Sequence, residues 1–245
     1  MVGYNVMRIV VAFCLLICVG CKTSSSAQVD QAISEIGNLF GNGGKLTTNE
    51  VAGGLKEALI QGISTASDDA SALDGYLKNN LIRIAFPPEA AKVESRLRQI
   101  GLGNEVDKFI VALNRGAERA AKEAKPIFID AIRQLTIEDA WDILNGGEQS
   151  ATMYLKNNTS ASLEEKFQPI ISQALEEVNA TRYYGDLVKS YNKIPFVNKV
   201  NPDLDKYATD QAIDGLFVLI GQEEVKIRKN PAARTTELMQ KVFGN

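Results

Sequence analysis

The stretch Thr47-Thr48-Asn49-Glu50, continued by VAGGLKEALIQGIS as far as residue 64, decides the fold class. A hydroxyl three residues ahead of a glutamate is a capping box. The Thr47 hydroxyl accepts from the Glu50 N–H, and the Glu50 carboxylate reaches back to the Thr47 N–H. The box predicts a helix that opens at residue 48 and runs to 79. The same punctuation recurs outward along the chain. Ser162 with Glu165 repeats the box ahead of Lys166-Phe167, and Thr136 with Asp139 is a looser version ahead of Trp141, Ile143 and Leu144. Pro126, Pro169 and Pro231 suit a first helical turn, where a missing N–H leaves no intrahelical bond unmade. Gly41–Gly44, Gly101–Asn104 and Asn145–Gly147 read as connectors.

Helices are thus predicted over 28–40, 48–79, 88–100, 104–124, 126–134, 137–145, 148–157, 162–180, 182–193, 203–228 and 231–243. No long stretch alternates with period two, and the best strand candidate is Leu81–Phe86, as part of a short β-ribbon. The pattern is all-α: a single compact multi-helix domain over 31–245, after a flexible N-terminal tether.

Composition narrows the function. Acidic side chains number 30 against 27 basic ones, a net charge of −3, which argues against nucleic acid as a partner. The chain contains no histidine. A Ser-His-Asp triad, a Cys-His pair and a His-ligated metal are therefore impossible. Its three cysteines, Cys14, Cys18 and Cys21, all lie near the N-terminus. The domain must therefore hold together by its core, without a disulfide.

Residues Ile9–Ile17 form an apolar run behind Arg8. It is too short to span a bilayer, which takes about 20 apolar residues, and it suits the core of a secretory signal. Met7-Arg8 is an alternative start for that signal. Its end, Leu15-Leu16 followed by Gly20-Cys21, resembles a bacterial lipoprotein signal, although Cys18 stands where leucine is usual. The resemblance implies a signal peptide over 1–20, lipidation of Cys21 and a tether over 21–30. Lys22 after the cysteine implies the outer membrane, on its periplasmic face. The nine mostly small and polar residues Lys22–Asp30 reach about 30 Å when extended.

Several short motifs are weak. Gly41-Asn42-Gly43-Gly44-Lys45 lacks the first glycine and the Ser or Thr of a phosphate-binding loop. Ser190 and Lys193 have the Ser-x-x-Lys spacing but no companion elements. Asp203, Asp205, Asp210 and Asp214 cluster, but without the glycine and glutamate of a calcium loop. No cofactor or metal is expected. Two segments are richer. Asn114, Arg115 and Glu118 share a helix face around Gly116, a glycine that signals close approach by another helix. Near the C-terminus, Glu224 and Arg228 stand one turn apart in the favourable order, and Glu223, Arg228 and Arg234 are expected to meet at a helix end.

Pieces spread along the chain resemble a bacterial family of unknown function, the one numbered 4197. They are Gly54–Leu59, Ile82-Arg83-Ile84 with Pro87-Pro88, Asn114-Arg115 with Ala117-Glu118, Ala124–Phe128, Thr136 with Asp139-Ala140, Ala151-Thr152 with Tyr154, Ala212–Phe217, and Ile227-Arg228 with Pro231–Thr236. Ala85 and Gly116 depart from its pattern. The resemblance covers about 45–244 and implies a largely helical envelope protein, with no activity attached. The candidate polar site drawn from these readings is Arg83, Asn114, Arg115, Glu118, Asp139, Tyr154, Asp214, Glu223, Arg228 and Arg234, with no catalytic residue assigned.

The expected function is a non-enzymatic, lipid-anchored envelope protein that binds a protein partner or a small amphipathic ligand. Two alternatives compete. One is a glycan hydrolase using two of Glu118, Asp139, Asp214 and Glu223, which must then converge at a carboxylate-pair distance. The other is a structural component of an envelope assembly.

Overall fold

The computed structural model describes residues 46–193, 195–196 and 198–244. The leader, Cys21, the tether and the helix expected over 28–40 lie outside the described residues. Within them the fold is all-α, with nine α-helices and no strand. The helices are α1 (Thr48–Ser71), α2 (Ala91–Gln99), α3 (Gly103–Ala121), α4 (Ala124–Gln134), α5 (Ile137–Asn145), α6 (Ser150–Glu176), α7 (Ala180–Tyr191), α8 (Leu204–Lys229) and α9 (Glu237–Phe243). No helix among them is long and apolar enough to cross a membrane.

The four longest helices, α1, α3, α6 and α8, close a ring in which α1 packs on α8, α8 on α6, α6 on α3 and α3 on α1. Leu55, Ile63, Leu113, Leu155, Phe167, Ile171 and Leu216 fill it and are at most 1% exposed. Helices α4 and α5 lie across α1 and α6, α9 covers α1, and α2 and α7 flank the N-terminal part of the ring's α3 and the end of α6. The predicted capping boxes at Thr47/Glu50 and Thr136/Asp139 both form. The close approach expected at Gly116 is present: a Cβ there would stand 3.2 Å from the Ala174 side chain on α6.

Four expectations are corrected. The helix from residue 48 stops at Ser71, where Ala72 turns extended; Asp74 then takes a left-handed φ of 70° and the chain doubles back to bury Tyr76, whose hydroxyl donates to the Ala212 carbonyl at 2.6 Å. Leu81–Phe86 is no strand. Its alternation is real, with Ile82, Ile84 and Phe86 buried. Yet its partner is a side chain: the Asn114 amide accepts from Ile84 N–H at 2.9 Å and donates to Ile84 C=O at 2.8 Å, taking the place of a neighbouring strand. The helices expected over 148–157 and 162–180 are one helix, α6, with Pro169 inside it. An interior proline costs about 3 kcal/mol. Burial of Leu155, Thr159, Leu163, Phe167 and Ile171, each four residues on from the last, holds the helix straight through Ser162 and outweighs that cost. Finally, the helix expected from 231 begins only at Glu237, capped by Thr236, while Asn230 caps a 3-10 turn over Pro231–Ala233.

Candidate functional site

The predicted polar residues separate into structural networks. In the first, Glu118, 4% exposed, accepts from the backbone N–H groups of Tyr76 and Leu77 at 3.2 Å each. It also pairs with Arg115 at 2.5 Å. Arg115 reaches on to Asp74 at 2.6 Å, which the Lys78 and Arg115 hydrogen bonds hold below the ordinary carboxylate range. With Asn114 on Ile84, this helix face pins the whole 72–86 segment to α3. Buried polar groups must find such partners, so the face is spent on structure. Arg83 is exposed and outside this network.

The second network joins three helix ends. Glu224, on α8, accepts from Ala151 N–H at 3.0 Å, from Thr152 N–H at 2.8 Å and from the Thr152 hydroxyl at 2.7 Å. The carboxylate therefore sits at the positive N-terminus of α6. It pairs with Arg228 at 3.0 Å, as the spacing predicted. Arg228 in turn donates to the Ile143 and Leu144 carbonyls at 2.7 and 3.3 Å, at the negative end of α5. Arg234 closes the end of α8 through the Ile227 and Arg228 carbonyls. Arg228 and Arg234 thus meet at that end, but Glu223 does not join them; it holds Lys226 at 3.0 Å.

Asp139 caps α5, and the Thr136 hydroxyl and N–H hold its carboxyl below the usual range. It lies within electrostatic reach of Lys56 and Tyr154. Burial lowers the Lys56 ammonium, with Asp139 opposing, and burial followed by the Asp139 charge raises the Tyr154 phenol. Asp214 pairs with Lys156 at 2.8 Å on the surface. The four acids of the hydrolase alternative are therefore each taken up by a different structural partner. The carboxyl that burial does raise is Glu57, which accepts from Thr236. The aspartates near 203–214 act separately: Asp203 caps α8, Asp205 joins Ser172 to Thr181, and Asp210 holds Lys206. No metal-binding cluster occurs among the described residues.

The open concave site lies elsewhere. A groove of about 660 Å³ runs between α2, α3 and α7, within the size of small-molecule sites. Its floor is an aromatic cluster. Phe86 stands 4.8 Å from Phe109 and 6.0 Å from Tyr184, centroid to centroid. The Tyr184 hydroxyl turns away to the Asn201 carbonyl, and burial pushes its phenol up to about 12. Leu97, Leu102, Val178 and Leu187 complete the walls, and Leu102, Val178 and Tyr183 are 40%, 41% and 64% exposed. A second recess of about 540 Å³ adjoins it, sharing Glu105, Lys108 and Val178. Of the groove's lining residues only Ser190, through the weak Ser-x-x-Lys spacing, was singled out in the sequence. The lining comes from four separate segments, so no local spacing marks it.

The described residues thus form an all-α domain whose buried acids serve structure and which carries an open apolar groove among its larger recesses. The chain belongs to the family described as a protein of unknown function, DUF4197, whose pattern matches residues 45–244. No curated protein and no solved structure matches it significantly.

Proposed function

We propose that this protein is a lipid-anchored protein of the bacterial cell envelope, on the periplasmic face of the outer membrane, that binds a small amphipathic ligand in the α2–α3–α7 groove and performs no chemistry on it. The groove's open walls, Leu102, Val178 and Tyr183, carry the ligand reading. Large apolar side chains left open in a concave site signal an unmet partner, and the buried acids are committed to helix ends and turns. The Gly20-Cys21 signal supports the anchor.

Native mass spectrometry of the whole protein, taken gently from its own membrane, tests this. The expected result is a reproducible small-molecule adduct that disappears in Leu102→Asp. That change places a charge at the mouth of the groove, at a cap position where aspartate is tolerated. A stoichiometric protein companion would instead favour the assembly reading. A bare acylated chain would remove the ligand reading.

A further inference from the structure

The rim of the groove carries information that its floor does not. In the adjoining recess Asp107 holds Arg98 at 2.9 Å, Glu177 holds Arg119 at 3.0 Å, and Arg115 holds Asp74 and Glu118. The three charged residues that line the groove itself are not paired in this way. Glu105 and Lys108, three residues apart on one face of α3, and Asp186 on α7 all line the groove. They are exposed and make no side-chain hydrogen bond or ion pair among the described residues. Glu105 and Lys108 also line the second recess, so they mark where the two hollows meet. Tyr183, three residues before Asp186, offers an open ring face beside the acids, and such a ring favours a cation.

Two free acids and one free base around an apolar floor fit a head group that carries both signs. We propose that the ligand is a zwitterionic single-chain phospholipid. Its acyl chain lies along Phe86, Phe109 and Leu187, its ammonium is held by Glu105 and Asp186 beside Tyr183, and its phosphate by Lys108. This rests on the ligand reading of the groove given above. A fatty acid would set its carboxylate against two like charges, and a neutral lipid would gain nothing from any of the three.

The test uses the full chain held in an amphipathic polymer, free of detergent, with a neutral apolar dye in the groove. The dye is displaced by lysophosphatidylethanolamine, by the fatty acid and by the monoacylglycerol of the same chain length. The phospholipid is expected to displace at about fivefold lower concentration than either. Lys108→Ala, and separately Glu105→Gln with Asp186→Asn, are each expected to weaken the phospholipid about fivefold. They leave dye and monoacylglycerol unchanged. Equal displacement by all three lipids, or variants without effect, would overturn the head-group assignment and leave the groove standing. A dye that fails to bind, or that binds Leu102→Asp equally well, overturns both.

Discussion

Asn114 shows what a single buried side chain decides. Fully buried, it bonds both backbone groups of Ile84 and donates to the Ile110 carbonyl at 2.7 Å. Asn114→Leu keeps the volume but orphans the Ile84 N–H and C=O. Two orphaned buried groups cost about 2–4 kcal/mol, expected as a lower urea midpoint with an unchanged slope. Glu57 acts in the opposite sense. Burial raises its pKa above the ordinary value of 4.5. The folded state therefore holds its proton longer than the unfolded chain, and stability falls as pH rises from about 4.5 through the folded value. Glu57→Gln removes that penalty and keeps an acceptor for Thr236. Melting curves should show it more stable than the parent at neutral pH, with the gain gone below pH 4.5.

At the scale of elements, α6 and α9 are the instructive cases. Pro169 stands exposed inside α6, so replacing it removes no packing. Pro169→Ala restores an interior helix bond and is expected to stabilise by about 1–2 kcal/mol, after allowing for the freer unfolded chain. An unchanged or lower melting temperature would mean that the helix is bent there to suit the core. Helix α9 docks through Gly54, where a Cβ would come within 2.7 Å of Val242 and 3.1 Å of Leu238. Gly54→Val overpacks this contact by about 1–3 kcal/mol. Amides over 237–243 should then exchange faster while those of α3 and α6 stay protected.

For the whole molecule, the proposed anchor makes the sharpest demand. If Cys21 carries the lipid, Cys21→Ala leaves the protein in the soluble periplasmic fraction, since an apolar run as short as 9–17 cannot hold it as a span. Continued recovery with membranes would point to anchoring by another part of the chain.

The sequence by itself determined the helical class, the capping of α1 and α5, a close helix contact at Gly116 whose partner it did not name, and the Glu224–Arg228 pair. Each depends on residues within one turn, or on a residue type that only one packing tolerates. Tertiary structure decided the rest. Burial of one long apolar stripe carried α6 through Pro169, and a distant asparagine took the partner's place beside Leu81–Phe86. The groove stayed illegible because its lining comes from separate segments, and no local spacing records that a fold will leave Leu102, Val178 and Tyr183 uncovered.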